Sequence, residues 1–419
     1  MDRRAFLKLA GGSAVASAAG IRPCHGGQAA ESAGGQGFDV AAAQRTLADH
    51  RIARIETRQF QDSFPRSVGP NAKGNPAGSG GGFPVRIITT DQGASGWSSS
   101  RGGGEEDDAK LVGMKISELF DVSTGITEAS PWWLDRVLHD LAASILRMPV
   151  WRMIGAAGPR AVPIYSGAIY MEDVMPPEAP RGIPAVLAAC KQDYDAGYRA
   201  FKLKIGRGFK RMPKPEGLRR DIEVVRAVRD KFPDSKVLVD ANDSYTADEM
   251  VGFVKAVADC DLYWIEEPFE ENRDDLKRLR EAMAQAGCKA LLADGEARRD
   301  RADPPTAYGG YTQAFADRLY ALAAENLIDI FVLDLDIVGF SRWRRAMPKL
   351  AKAGVRAAPH AWMWTVRSYY SAQLAAGAGN VAIVEGIPGG APGIDYSAYR
   401  MEGGNLVVPD VPGFGLRLR

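Results

Sequence analysis

The sequence predicts an α/β fold, a (β/α)7β barrel with an α+β N-terminal capping domain completed by the C-terminal tail. Three observations carry this. Beyond Val162, short apolar runs alternate with helical stretches every 25 to 30 residues or so, the rhythm of a parallel βα barrel of the TIM-like type. Eight such runs occur, VPIYSG, AFKLKIG, KVLVDAN, LYWIEEP, KALLADGE, IFVLDLDI, VRAAPH and VAIVEG, and the last seven end in a polar residue fit for chemistry. Before them lies a differently patterned region, with strand-like RIARIETRQF and FPVRIITTDQGASGW flanking a Gly, Pro and Asn-rich loop, Gly69 to Gly82. These read as antiparallel strands of a small α+β unit.

The elements divide the chain into four stretches. Residues 1–37 read as a leader: Arg3-Arg4 precedes Phe6, Leu7 and Lys8, then a weakly apolar Ala/Gly-rich run too short to span a bilayer. That pattern predicts twin-arginine export to the periplasm through the twin-arginine machinery, with Ala16-Ser17-Ala18 a plausible cleavage site and no membrane anchor in the mature form. Residues 50–160 form the capping domain, in which Glu105, Glu106, Asp107 and Asp108 open one helical segment and Trp132 to Leu146 carries a second. Residues 161–399 form the barrel. Residues 400–419 depart from the rhythm, and VVPDVPGFG reads as an extended segment returning to the capping domain.

With 419 residues the chain is long enough to bury a large core. Its 53 basic and 52 acidic residues give a net charge of +1, so it has no electrostatic footprint for nucleic acid or an anionic membrane, and a small-molecule partner is expected. Its assembly state is left open, a homo-oligomer included. Of four cysteines, Cys24 falls in the leader; Cys190, Cys260 and Cys288 form no C-x-x-C pair, which argues against a disulfide framework. GRGFKR after Ile205 lacks the third glycine of a dinucleotide loop, and no phosphate loop is present.

The polar ends of the runs hold the chemistry. Lys202 and Lys204 sit two apart in FKLKIG, so a strand points both ammonium groups to one face, and mutual repulsion in a barrel interior would depress one toward a working base. The flanking Phe201, Leu203 and Ile205 suit a strand covered by helices rather than an edge strand with its lysines in water. Asp240 ends KVLVD with Asn242 following on the same side, Glu266 and Glu267 end LYWIEEP, and Glu296 lies in LLADGE. In a barrel, Asp240, Glu266 and Glu296 converge; three carboxylates in one dry site require a cation, and all-oxygen ligation suits Mg²⁺. The plainer alternative is that each acid caps the helix after its strand. His360 ends an apolar run, and LDLDI offers Asp334 and Asp336, either able to hold its imidazole. Glu385 completes the ring and is expected to be protonated, as a buried carboxyl near negative charge tends to be.

The order K-x-K, D-x-N, E-E-P, G-E, D, H, E on consecutive strands resembles the enolase superfamily, and within it the mandelate racemase/muconate lactonizing enzyme-like subgroup. LRMPVWRMIG before the first barrel strand and VPDVPGFGLRL at the end also resemble that family's domain junction and tail. The resemblance implies that Asp240, Glu266 and Glu296 bind Mg²⁺, that Lys204 and His360 flank the substrate as acid/base groups, and that Lys202 steadies its carboxylate. It further implies that Asn242 lines the site and that Glu385 hydrogen-bonds the enolate oxygen. Asp336 is assigned as the partner of His360, although DIVGFSRW is shorter than the family's usual segment and has a single glycine. The stretch from Ala297 to Gln313 is longer than a usual βα loop; with the Gly206 to Gly217 loop it is expected to shape the pocket for a polar or anionic substrate.

The implied reaction is Mg²⁺-dependent abstraction of the proton α to a carboxylate through an enolate. Dehydration of an aldonate- or uronate-type sugar acid is the first expectation, with Lys204 or His360 removing the proton and His360 protonating the leaving hydroxyl. Racemisation or epimerisation of a 2-hydroxy or amino acid derivative begins with the same enolate. Two readings of other kinds are an exported metal-containing solute-binding barrel without turnover, against which stand two complete acid/base arms, and a Schiff-base aldolase using Lys204, against which stand the adjacent carboxylates.

Overall fold

In the computed structural model, which describes residues 38–296 and 313–419, the apolar runs of the sequence form eight parallel strands in a closed ring. The strands are Ala161–Ile169, Ala200–Lys204, Lys236–Asp240, Leu262–Glu266, Leu291–Asp294, Ile330–Phe331, Arg356–Ala357 and Val384–Gly386. Each pairs with the next up to the seventh, the eighth pairs with the first, and an Ala357–Val381 bridge closes the remaining seam. The leader reading and the 297–312 loop lie outside the described residues.

Alternation along the strands explains the layering. In the second strand every residue is buried. Phe201 and Leu203 face outward and join the layer packed under the helices, whereas Ala200 faces inward with Leu238, Trp264, Ala293 and Ile330. One step further along, the inward positions change from apolar to charged. Lys202 follows Ala200, Asp240 follows Leu238 and Glu266 follows Trp264 at a spacing of two, the strand period, so an apolar plug fills the barrel and an ionised layer crowns its C-terminal end.

The N-terminal part holds β1 (Ile52–Gln61), β2 (Gly82–Thr90) and β3 (Ser95–Ser99), paired antiparallel in that order. Regular structure is present before residue 50, in helix α1 (Val40–Ala48): Asp39 accepts from the Ala42 N–H as its N-cap, and Ala43 and Leu47 bury its inner face. The helix Asp135–Ile145 lies so close to β3 that a Cβ on Gly96 would stand 2.3 Å from the Leu141 nitrogen, which reserves that position for glycine. The loop between β1 and β2 reaches the barrel, where Phe64 and Val68 pack with Ala168, Tyr170 and Ile387. Among the described residues no helix is long and apolar enough to cross a membrane, and Cys190, Cys260 and Cys288 are buried free thiols.

The tail folds as a hairpin, Arg400–Glu402 with Asn405–Val407, whose second strand adds antiparallel to the start of the first barrel strand. Its last turn is tied to the segment before the barrel by Val150 N–H to Gly413 carbonyl (2.9 Å) and Gly413 N–H to Met148 carbonyl (3.1 Å). Asp140 locks this junction: its buried carboxylate accepts from Trp97 N–H of β3 at 2.8 Å and from Phe414 N–H of the tail at 2.7 Å. Asp140→Ala leaves both buried donors unpaired and is expected to cost roughly 2–4 kcal/mol in chemical denaturation.

Burial pushes the Asp140 carboxyl up to about 7 from an ordinary 3.8, against the pull of those two donors. The folded protein therefore holds this proton between about pH 4 and 7 while the unfolded chain does not. The stability the site contributes is full below about pH 4 and declines as pH rises to about 7. The Asp140→Ala variant should lose that slope, and a slope unchanged by the substitution would refute the assignment.

Candidate active site

Strand register sets the ionised layer. Lys204 pairs with Asp240 and Asp240 with Glu266, so the second, third and fourth strands end at one level. Beyond them the backbone turns sharply. Asn242, at φ 46°, and Glu267, at φ 42°, adopt the left-handed conformation, with Ala241 N–H bonded to the Glu266 carbonyl and Asp243 N–H to that of Glu267. Strained non-glycine backbone of this kind is tolerated where surrounding bonds over-determine it, and it concentrates at functional sites.

Lys202 is the hub of the layer. Its Nζ lies 2.9 Å from Glu266 Oε1, 3.3 Å from Asp240 Oδ2 and 3.3 Å from Glu385 Oε1, over the ring of Tyr165. Lys204 Nζ is bonded to Asp240 Oδ2 and sits over the ring of Tyr170. Repulsion between the lysines does not depress either one, contrary to the sequence expectation. Burial pulls both down, but Glu266, Glu385 and Asp240 around Lys202, and chiefly Asp240 beside Lys204, outweigh it and hold both ammonium groups above the usual lysine range. The expectation counted the charges on one strand and missed those facing it across the barrel.

His360, three residues beyond the seventh strand and bridged to Asp334, is nearly enclosed. Its Nδ1 stands 3.1 Å from Asp334 Oδ2 and 3.6 Å from Glu296 Oε1, and its Nε2 3.8 Å from Glu385 Oε2. Burial pulls the imidazole down, yet Glu296, Glu385 and Asp334 together raise it to about 10, so the imidazolium is favoured. The partner of His360 is Asp334 and not Asp336. The sixth strand ends at Phe331 and Asp334 caps the short helix Leu335–Val338, its Oδ1 accepting from Asp336 N–H and Ile337 N–H. Strand alternation, which set the two aspartates on one face, has ended by then, and Asp336 turns to Arg136 and Arg367.

Glu385 is also corrected. Burial pushes its carboxyl up, but the cations of Lys202 and His360 and the Ala361 N–H at 2.6 Å bring it below the ordinary range, so it is ionised. The carboxyls driven upward lie elsewhere. Glu266 is raised to about 7 by burial, only partly offset by Lys202, and Glu267 and Asp294 are raised well above their ordinary values by burial and by neighbouring acids. Asn242 bridges the acids, its N–H donating to Asp240 Oδ1 at 2.9 Å and its Nδ2 to Glu267 Oε2 at 3.3 Å.

Asp240 and Glu266 are thus adjacent as expected, while Glu296 sits beyond Gly295, which takes φ 104°, and leans toward His360. Among the described residues no three His, Cys, Asp or Glu side chains are gathered tightly enough to hold a metal ion. The donor chemistry nonetheless fits a hard divalent cation. Glu266 Oε2 is buried with no hydrogen-bond partner, and the acids raised around it are those whose crowding a cation would relieve.

The sequence reading did not reach Tyr165 and Tyr170, whose rings lie against the two ammonium groups, nor Arg136 and Arg367. The tyrosines sit in the first strand run and its exit, where a register shift between Ser166 and Ile169 breaks the period-2 count that would have linked them. Nothing local marks the arginines, since their partners are remote in sequence.

Comparison with known proteins agrees with this layout. Residues 185–419 match the family described as Enolase C-terminal domain-like, covering the second to eighth barrel strands and the tail. Over 138 residues the chain is 34% identical to 3,6-anhydro-α-L-galactonate cycloisomerase of Streptomyces coelicolor, a match spanning 32% of this chain and about a third of that enzyme, 33%. D-xylonate dehydratase of Haloferax volcanii is 23% identical over 310 residues, 68% of this chain and 66% of that enzyme. Among solved structures, galacturonate dehydratase from Geobacillus sp. in complex with D-galacturonate and 5-keto-4-deoxy-D-galacturonate superposes with a TM-score of 0.78 at 30% identity, over 88% of this chain and 95% of that one. A glutamate-to-alanine mutant of the same enzyme, complexed with Mg, gives 0.79 at 29%, over 89% and 94%.

Proposed function

Because this chain belongs to the enolase superfamily, in the Enolase C-terminal domain-like family that covers more than half of it, we propose that it is a Mg²⁺-dependent sugar acid dehydratase acting on a uronate or aldonate. The observation that carries the reading is the placement of two acid/base groups on either side of one charged pair. Around the ring the strands run seventh, eighth, first, second. His360, with Asp334 beside it, follows the end of the seventh and Lys204 ends the second, while Glu385 on the eighth faces His360 on one side and Lys202 on the other. A carboxylate substrate seated on Lys202 meets one group on each face. The dehydratase relatives, and the bound D-galacturonate in one of them, support the choice of substrate class.

Asp240, Glu266 and Glu296 are the residues that would hold Mg²⁺, which supplies the positive charge a developing enolate requires. Lys204 in its neutral form takes the α-proton, and the imidazolium of His360 gives a proton to the departing β-hydroxyl. The C–H and C–O bonds break, a C=C bond forms, water leaves, and the enol so produced becomes a keto-deoxy acid, 2-keto-3-deoxy when numbered from the reacting carboxylate. Asp240 is the principal anion holding Lys204 protonated, so Lys204 becomes a base only as that carboxylate is drawn to another partner. Lys202 anchors the substrate carboxylate, Tyr165 and Tyr170 shield the two amines from water, and Asn242 keeps Asp240 aimed.

Incubating the protein with Mg²⁺ and a panel of uronates and aldonates in D₂O tests this, with NMR following α-hydrogen exchange and keto-acid formation. Formation of a 2-keto-3-deoxy acid is the expected result. Exchange accompanied by inversion at the α-carbon with no keto acid would instead establish a racemase or epimerase, and exchange with retention alone, or neither signal from any acid, would defeat the proposal.

A further inference from the structure

A second charged cluster lies directly behind His360, and the proposed chemistry does not use it. Asp336 is clamped between two buried guanidinium groups: Arg136 Nη1 lies 2.5 Å from its Oδ1, and Arg367 Nη2 is bonded to its Oδ2. Arg136 comes from the helix Asp135–Ile145 of the N-terminal part, where its Nη2 also donates to the Ser99 carbonyl at 2.8 Å. Arg367 opens the helix Val366–Ala378 that follows the seventh strand, and its Nη1 donates to the Trp362 carbonyl at 2.5 Å. The Arg367 guanidinium lies over Trp364, 4.6 Å from the ring centroid.

One distance gives the cluster a function. Arg367 Nη1 stands 3.9 Å from Asp334 Oδ2, the oxygen that faces His360 Nδ1 at 3.1 Å. The arginine is therefore poised to compete with the imidazole for that oxygen, and its bond to Asp336 holds it back. Asp336 in turn is fixed on its other side by Arg136, and its backbone N–H donates to Asp334 Oδ1 at 2.7 Å. Both oxygens of Asp334 are thus set by this cluster, one directly and one by restraint.

We infer that Arg367 is a positioning residue for His360: restrained by the Asp336–Arg136 clamp, it fixes the Asp334 carboxylate that orients the imidazole, so the N-terminal part of the chain helps to aim the acid/base arm. Removing Asp336 lets Arg367 settle onto Asp334 and displace the imidazole. Removing Arg367 takes away the guanidinium that lies near both Asp336 and Asp334, and the aspartate that steers His360 loses its fixed place. Outer partners of this kind typically change activity by about 10- to 100-fold.

The inference rests on the dehydratase reading for its kinetic arm only. Arg367→Met, Asp336→Asn and the conservative Arg367→Lys are to be compared with the unmodified protein in D₂O, measuring keto-acid formation and α-hydrogen exchange in unreacted substrate. A fault confined to His360 slows loss of the hydroxyl but not removal of the proton. Dehydration should therefore fall by roughly 10- to 100-fold while exchange into remaining substrate rises relative to product, with Arg367→Lys intermediate. A proportional fall in both, or no fall, overturns the inference.

A second arm needs no substrate. The Nδ1 proton of His360, identified in the NMR spectrum of a chain with four histidines by its loss in His360→Gln, should move in Arg367→Met and in Asp336→Asn. An unmoved resonance also overturns the inference. If no sugar acid is dehydrated, the functional reading fails and this arm still decides the positioning role; if Arg367→Met does not fold, Asp336→Asn decides it.

Discussion

Replacing His360 with glutamine, or Lys204 with methionine, is expected to lower kcat/KM by roughly 100- to 10,000-fold, the range for loss of a positioned proton-transfer group. At about 1.4 kcal/mol per tenfold this is about 3–6 kcal/mol of transition-state stabilisation. The substitutions are chosen so that folding survives. Glutamine retains a donor for Asp334, so the buried carboxylates around position 360 are not left without any partner, and methionine fills the channel beside Tyr170 that the lysine stem occupies. Alanine at either position would add a cavity and an unpaired acid, confusing chemistry with stability. Steady-state kinetics beside thermal melts check the result. Turnover within fivefold of the unmodified protein for either variant would remove that residue from the mechanism.

The second large effect is expected at Asp240. Its carboxylate is shared: Oδ2 meets both lysines and Oδ1 accepts from Asn242 N–H. Asp240→Asn deletes one of the three carboxylates proposed to hold Mg²⁺ and should weaken cation binding by more than the 10- to 100-fold typical of outer-shell changes, with turnover lost at ordinary Mg²⁺ concentrations. Isothermal titration of Mg²⁺ into the variant and the unmodified protein measures this directly. His360→Gln serves as the contrast, since its change lies on the acid/base side of the site. Unaltered affinity in Asp240→Asn would remove Asp240 from the ligand set.

The barrel was legible because its signals are local. A strand covered on both faces needs apolar residues throughout, and a period of two from Ala200 to Lys204 or from Leu238 to Asp240 is enough to say that the polar ends point inward at one level. The His360 partner was not legible, because the choice between Asp334 and Asp336 depends on where the strand stops. A strand continuing to residue 336 would place both aspartates inward, whereas a chain that becomes helical at Leu335 turns Asp334 into a cap and swings Asp336 toward two arginines. The charge states of Lys204 and Glu385 failed for a related reason. Each is set by groups on other strands, and a strand read alone shows its own lysine pair but not the three carboxylates opposite it. The same holds for Arg136 and Arg367, which meet only through Asp336, far from both in the sequence.

Glu296 marks the boundary of what position alone can tell. It ends the fifth run in the sequence, yet it lies past the strand proper and a left-handed glycine, faces His360 at 3.6 Å, and does not complete a three-acid cluster with Asp240 and Glu266 among the described residues. The proposed cation site therefore requires this side chain to turn inward and Lys204 to yield part of Asp240.

Crystals grown with Mn²⁺ in place of Mg²⁺, with data collected at the manganese absorption edge, test that requirement most directly. The expected result is a single anomalous peak bounded by Asp240, Glu266 and Glu296, with the Lys204 ammonium moved off Asp240 toward the substrate side. No peak within reach of those three carboxylates, together with turnover undiminished by EDTA, would contradict it.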